Sequence, residues 1–235
     1  MKIVLEIVKT IDWSPLFISL KTGVVSTILA FFMGIGAARL IMRVNSTAKA
    51  ALDGILTLPL VLPPTVAGFF LLLIFSLRRP FGSFLYTNFD IKMVQTWPGC
   101  VIAAFVIAFP LMYRNARAAF EQVDVNTIYA GRTLGLSEGT IFWRVVVPIA
   151  GPGLASGTVL SFARSIGEYG ATSMLAGNIL GKTRTVSVAI ASEVAAGNWD
   201  TAGFWVCVIV ILSFFVVTLI NYISGKGIKN TNRWM

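Results

Sequence analysis

Very few side chains in this sequence could carry out covalent chemistry. It contains no histidine, and both cysteines, Cys100 and Cys207, fall inside apolar stretches. No carboxylates stand at metal-ligand spacing and no base lies beside a serine, so neither a metal centre nor a hydrolase triad is predicted. The segment Gly177-Asn-Ile-Leu-Gly-Lys-Thr183 imitates a phosphate-binding loop but is too short for Gly-x4-Gly-Lys-Ser/Thr. We therefore predict that the chain is not an enzyme and holds no metal or cofactor.

Two polar or irregular features remain that could serve transport or binding inside an apolar protein. Arg164 and Glu168 stand four positions apart, a spacing that places them on one face of a helix. Ionisable groups at membrane depth are costly and often functional, so the pair is either a structural salt bridge at a helix end or part of an outer gate. Pro59, Pro63 and Pro64 lie close together and either kink a helix statically or form a hinge that lines a path.

The composition of the chain that positions these residues is typical of a membrane protein. Of 235 residues, 56% are hydrophobic and 12% are charged, and the mean hydropathy is +0.81. So little polar surface cannot coat a soluble globule of this size. A helix needs about 20 apolar residues to cross the hydrocarbon core of a bilayer. We predict one transmembrane domain over 1–235 with five spans, at 16–38, 55–77, 96–113, 145–163 and 202–223.

The predicted fold class is an all-α, polytopic membrane bundle of five or six transmembrane helices. No stretch alternates apolar and polar residues as a transmembrane β-barrel would. A sixth apolar stretch at 185–197 is too short to cross and contains Glu193, so we interpret it as a short or re-entrant helix. The net charge of +9 does not indicate nucleic-acid binding, because polytopic membrane proteins often have basic loops.

The distribution of basic residues gives a modest indication of orientation. The short connection 39–49 and the tail after 223, with Lys226, Lys229 and Arg233, are basic and contain few acids. Basic loops favour the cytoplasmic side. We therefore expect the N-terminus outside, with the loop 114–144 and the C-terminus in the cytoplasm.

The loop 114–144 mixes glycine and both signs of charge between two apolar spans. Asp124 or Asn126 can cap a helix that begins near Thr127, and Gly135 can end it. Ala130 and Gly131 have little side-chain bulk, so another backbone could approach this helix closely. Periodicity leaves two possibilities open: an amphipathic helix packed on its own bundle, or a helix that docks into a groove on a soluble partner. The residues predicted to contact such a partner are Thr127, Tyr129, Ala130, Gly131, Leu134 and Gly135.

The spacing Ala130-Gly131-x3-Gly135-x9-Val145-x-Val147-Pro148 resembles the signature loop of ABC importer permeases, Glu-Ala-Ala-x3-Gly-x9-Ile-x-Leu-Pro. Tyr129 stands where the family has Glu, which puts one polar contact in doubt. Two further stretches are similar to molybdate-type permeases: Leu58-Pro-Leu-Val-Leu-Pro-Pro-Thr-Val-Ala-Gly68 and Leu160-Ser-Phe-Ala-Arg-Ser-Ile-Gly-Glu-Tyr-Gly-Ala-Thr172. Sulfate permeases share related sequences in the second of these.

The resemblance implies a type I ABC importer permease fold in the inner membrane of a bacterium or archaeon. It further implies a second copy of the chain, two ATPase subunits that bind ATP and Mg and dock on the 127–135 helix, and an external binding protein. The implied cargo, carried by alternating access, is an oxyanion, molybdate or tungstate in the first place, with sulfate or thiosulfate as the alternative. A stand-alone anion channel and an intramembrane enzyme are the alternatives from other classes. Membrane lipid surrounds the spans in every case.

Overall fold

A computed structural model describes residues 11–229 and their side chains, except the side chains at 46–47 and 219–229. The tail with Arg233 lies outside the described residues. Within this range the regular elements are helices, and the predicted all-helical class is confirmed. In chain order they are α1 Ser14–Ile41, α2 Ser46–Val61, α3 Pro64–Phe75, α4 Pro80–Phe89, α5 Trp97–Glu121, α6 Val125–Thr133, α7 Glu138–Ile149, α8 Gly151–Ile166, α9 Gly170–Leu175, α10 Val186–Ala195 and α11 Trp199–Lys229.

The centre of the bundle is the contact between α1 and α5, with α8 packed on both helices. Small residues permit this close approach, as they do between helices in membranes generally. Ala30 and Ala116 are fully buried in the shared core. A Cβ atom on Gly34 would lie only 2.8 Å from Cγ of Met112 and 3.1 Å from the backbone nitrogen of Tyr113. The two helices therefore cross with almost no space between their backbones.

Three helices of the described chain, α1, α5 and the Trp199–Thr218 part of α11, are each long and apolar enough to cross a membrane. Two further crossings arise only if a pair of helices joined at a sharp bend counts as one span. The bend is 110° between α2 and α3 and 72° between α7 and α8. The chain thus has up to five crossings by length and composition.

Prolines lie at both bends. Leu62 is extended, with ψ 141°, because the residue before a proline avoids the helical region. The helix then restarts at Pro64. The sequence predicted a kink inside one span at 55–77, but the structure has two separate helices there. The span predicted at 145–163 is likewise divided, between Ala150 and Gly151, just before Pro152.

The stretch predicted as a short or re-entrant helix forms α10, which spans ten residues and so about 15 Å. This is half the thickness of the hydrocarbon core. The hydroxyl of Thr185 caps it by accepting from the N–H of Val188, and the N–H of Val186 donates to Oγ of Ser19 at 2.8 Å. A short helix is therefore tied to α1 at one end of the bundle.

Candidate functional site

Helix α6 lies in the polar loop between α5 and α7, and local sequence determines both of its ends. A carboxylate oxygen of Asp124 accepts from the N–H of Asn126 at 2.9 Å, so the helix begins at Val125, slightly before the predicted start near Thr127. Gly135 has φ +75°. Its N–H donates to the carbonyl of Arg132 at 2.9 Å, and the N–H of Leu136 donates to that of Gly131 at 3.1 Å. This is the glycine-terminated helix end that the sequence predicts.

The outer surface of α6 carries large exposed apolar side chains among polar ones. Leu134 is 78% exposed and Tyr129 is 53% exposed, and Thr127 and Ala130 are exposed beside them. In a polar loop, large exposed apolar side chains in one group indicate a surface that another molecule covers. In the described part of the chain, the guanidinium carbon of Arg132 lies 5.5 Å from the Tyr129 ring centroid, and Tyr129 and Leu134 remain largely exposed.

Gly131 does not belong to that outer face. It is buried, and a Cβ atom at this position would lie 3.1 Å from Cγ1 of Ile141 in the same chain. The sequence suggested that its lack of a side chain admits a partner backbone. In the structure, the lack of a side chain instead lets α6 pack tightly on α7. Gly131 is therefore not exposed for direct contact with a partner protein.

Contacts beneath α6 connect it to two membrane-spanning helices. Nε of Arg132 lies 2.6 Å from Oε1 of Glu138, which holds the pKa of Arg132 above its usual value. The ring of Phe142 packs edge-on against that of Phe120 at 5.3 Å between centroids. The guanidinium carbon of Arg39, near the end of α1, lies 4.1 Å from the Phe142 ring centroid. The α7 segment under α6 is thus fixed to the ends of both α1 and α5.

Sequence reasoning missed these supporting residues. Phe142 stands in an apolar stretch of the sequence, and nothing in the pattern pairs it with Arg39. Arginine stacks well on aromatic rings, but residues about a hundred positions apart carry no local signal of such a contact.

A second group surrounds Glu168, a carboxylate that is only 2% exposed. Its Oε1 accepts from the N–H of Ala171 at 2.7 Å. Its Oε2 lies 2.8 Å from Nη1 of Arg164 but has no aligned hydrogen bond, so this contact is an ion pair. Glu168 follows the end of α8 at Ile166, so the two residues do not share one continuous helix as predicted, although they do meet.

The structure brings the proline bend next to this ion pair. A Cβ atom on Gly170 would lie 2.9 Å from Cβ of Pro64, and one on Gly68 would lie 2.6 Å from Cα of Ala171. Helix α9 therefore rests directly on the start of α3. Pro63 precedes that start and is exposed, whereas Pro59 lies inside α2 on the other side of the bend.

A third cluster, which sequence reasoning missed, joins α2 to α5 near α6. The side chains of Tyr113 and Arg117 both donate to the carboxylate of Asp53. Glu121 accepts from Nε of Arg117 at 2.9 Å and from Nζ of Lys49 at 3.0 Å. Asp53, Tyr113, Arg117 and Glu121 line a cavity of about 430 Å³. Since the partners from α2 and α5 are at least 60 positions apart, only the fold reveals the cluster.

The sequence of this chain is similar to those of known transport proteins. Residues 28–230 match the family model described as "Binding-protein-dependent transport system inner membrane component". The molybdenum transport system permease protein ModB of Escherichia coli (strain K12) is 39% identical over 210 residues, which is 89% of this chain and 92% of that protein. The putative molybdenum transport system permease protein YvgM of Bacillus subtilis (strain 168) is 38% identical over 88% of this chain and 92% of its own length.

A sulfate transport system permease protein, CysT of Escherichia coli (strain K12), is 31% identical over 89% of this chain and 75% of its own length. Among solved structures, a bacterial ABC transporter that imports alginate aligns with TM-score 0.78 at 14% identity, over 96% of this chain and 83% of the other. The inward-facing MetNI methionine ABC transporter aligns with TM-score 0.70 at 17% identity, over 90% and 94% of the two chains. These structures share the fold of this chain.

Proposed function

Because this chain belongs to the family of binding-protein-dependent transport system inner membrane components, we propose that it is the membrane-spanning subunit of an ABC importer for molybdate or the chemically similar tungstate. The molybdenum permeases that resemble it align over nearly its whole length. It is a multi-pass protein of the inner membrane. Sulfate, another tetrahedral dianion, is the second candidate, since sulfate permeases align over a similar share of the chain at lower identity.

The observation that carries this proposal is the exposure of two large apolar side chains on the outer surface of α6. Leu134 and Tyr129 are uncovered in the described chain, while the opposite side of α6 is closed on Ile141 through Gly131. Such a one-sided helix is suited to a groove on a soluble protein. That protein is an ATPase subunit, which binds ATP and Mg and hydrolyses the nucleotide; this chain holds no cofactor itself.

The contacts beneath α6 provide the route by which ATPase movement reaches the bundle. Displacement of α6 is passed through Gly131 and Ile141 to α7, and from Phe142 to α1 and α5. Interfaces that are packed this closely shift as units rather than deforming gradually. ATP therefore favours one arrangement of the bundle over another by binding the two with different affinity.

Two copies of the chain surround one pathway, because a single chain with up to five crossings is small for a gated pore and symmetric pairs are the commonest assembly. The α2–α3 bend and the ion pair of Arg164 and Glu168 form the outer closure of that pathway. Pro63 and Pro64 set the bend, Pro59 shapes the wall before it, and Glu168 is held by Arg164 and by α9. An external binding protein delivers the oxyanion to this end.

The orientation follows from the same assignment. ATP is cytoplasmic, so α6 and the C-terminus face the cytoplasm and the N-terminus lies outside. The basic connection between α1 and α2 then also lies inside, as expected for short loops.

The test is uptake by the complete importer, with its ATPase and binding protein, reconstituted in sealed vesicles with ATP inside or outside. We expect uptake of labelled molybdate only with nucleotide on the α6 side. Unlabelled tungstate should compete and equimolar sulfate should not. Uptake without ATP would identify a channel, and stronger competition by sulfate would replace molybdate with sulfate as the substrate.

A further inference from the structure

A cavity of about 590 Å³ opens at the end of the bundle farthest from α6, and we refer to it as the lysine cavity. Its lining includes Lys21 of α1, Lys92 before α5 and Lys182 before α10, together with Phe17 and Trp97. All three lysines are exposed. None of them forms an ion pair with a carboxylate in the described part of the chain. Three cations from separate segments thus line one cavity, and none of them forms a salt bridge in the described part of the chain.

The position of Lys21 on α1 places the lysine cavity at the membrane surface. Lys21 and Arg39 are 18 residues apart on one helix, which corresponds to about 27 Å. This is close to the thickness of the hydrocarbon core, and Arg39 already lies at the α6 end on Phe142. The two cations therefore bracket the core at opposite headgroup layers. This reasoning requires only that α1 crosses the bilayer and does not depend on which end is outside.

The contacts of Trp97 also indicate that the lysine cavity lies at the membrane surface. Its Nε1 donates to the hydroxyl of Thr22 at 3.1 Å, and Nζ of Lys21 lies 3.9 Å from its ring centroid. Tryptophan is enriched at this interface because its ring is apolar and its N–H is polar. The lysine cavity thus has one polar, cationic side and one aromatic side.

An apolar stripe leads from the lysine cavity into the bilayer. Below Lys21 on α1 lie Val24, Ile28 and Phe32, which follow at spacings of three, four and four residues and so share one helix face. All three are exposed, as is Phe17 above them at 67%. A molecule held by the lysines would therefore meet a continuous apolar surface toward the membrane centre.

We propose that the lysine cavity binds an anionic phospholipid. Its phosphate is held by Lys21, Lys92 and Lys182, and one acyl chain lies along Val24, Ile28 and Phe32. A free oxyanion would satisfy the lysines but leave the stripe unused. A second copy of this chain placed here by a two-fold axis would bring its own lysines against these, which like-charge repulsion disfavours. A bound lipid joins three segments: α1, the start of α5 and the loop before α10.

The experiment is a titration of the full-length purified chain in neutral detergent, with bound lipids counted by native mass spectrometry. Phosphatidylglycerol is compared with phosphatidylcholine carrying the same acyl chains. We expect the anionic lipid to bind at least about tenfold tighter, since each lysine near a surface contributes roughly a fivefold factor. The single variants Lys21→Gln, Lys92→Gln and Lys182→Gln should each lower the affinity for phosphatidylglycerol about fivefold. The triple variant should no longer prefer phosphatidylglycerol over phosphatidylcholine.

The matched control is Arg78→Gln/Arg79→Gln, which removes two exposed cations outside the lysine cavity. It should retain the preference. Two results would overturn the proposal: an unchanged lipid preference in the triple variant, or complete displacement of the lipid by millimolar inorganic phosphate. The second result would indicate a soluble-anion site. If the triple variant keeps its lipid preference but no longer binds the substrate-delivering protein, the lysines contact an acidic protein surface instead.

Discussion

Replacing Leu134 with aspartate removes the most exposed large apolar side chain of α6, which is 78% accessible. Complete burial of a leucine side chain is worth about 1.5–3 kcal/mol. Because most of the side chain is exposed, a partner that covers it gains about three quarters of that free energy. Leu134→Asp should therefore weaken ATPase binding by at least about 2 kcal/mol per site, or roughly 30-fold, once the cost of burying a charge is included.

The assay is capture of the ATPase subunit by the tagged chain in detergent, across a range of ATPase concentrations. Leu134→Lys is the second variant, because a cation at a helix C-terminus is favourable whereas an anion is unfavourable. If apolar contact holds the ATPase subunit, both variants should lose binding. The control is Leu180→Asp, a 61% exposed position in the loop between α9 and α10. Since both sites are exposed, thermal unfolding should change little. Parental ATPase affinity in both Leu134 variants would refute the docking assignment.

Three further variants test the packing, the helix end and the gate. Gly34→Val places a Cβ 2.8 Å from a methionine of α5, so it should lower the free energy of unfolding by about 2 kcal/mol. Gly36→Ala is its control, because a Cβ there meets nothing within 4 Å, and it should leave the free energy of unfolding unchanged. Gly135→Val forces a β-branched residue to φ +75° and should cost about 1–2 kcal/mol and reduce ATPase stimulation; Gly139→Ala is its control, and equal stimulation in both would contradict the assigned helix end. Glu168→Gln keeps an acceptor for the neighbouring N–H but removes the ion pair, so molybdate uptake should fall several-fold with ATPase capture intact; uptake at the parental rate would exclude a gate role.

Features governed by short-range rules could be predicted from the sequence. The end of α6 at Gly135 follows from the need for positive φ at that point, and the structure shows φ +75° there. The contact between Arg164 and Glu168 follows from their spacing, even though α8 ends before Glu168. Three of the apolar stretches correspond to helices long and apolar enough to cross a membrane, because hydrocarbon thickness imposes their length, whereas the other two are divided by sharp bends.

Features that depend on long-range packing could not be predicted. Prolines indicated a break near Pro63, but the 110° bend between α2 and α3 depends on how α9 rests on α3. The inward position of Gly131 depends on where Ile141 returns. Tyr113 and Asp53 meet across 60 positions, and Lys21 and Lys92 line one cavity from different segments. Nothing in local composition encodes such neighbours.

The most direct measurement is site-specific photocross-linking from α6 in native membranes. Thr127→Cys, in a chain that also carries Cys207→Ser to remove the exposed native thiol, is modified with a benzophenone reagent in inside-out vesicles. Our account predicts a covalent adduct with the ATPase subunit that forms only when the cytoplasmic face is accessible to the reagent. Modification of the same position by an impermeant reagent in right-side-out vesicles, or an adduct with lipid alone, would contradict it.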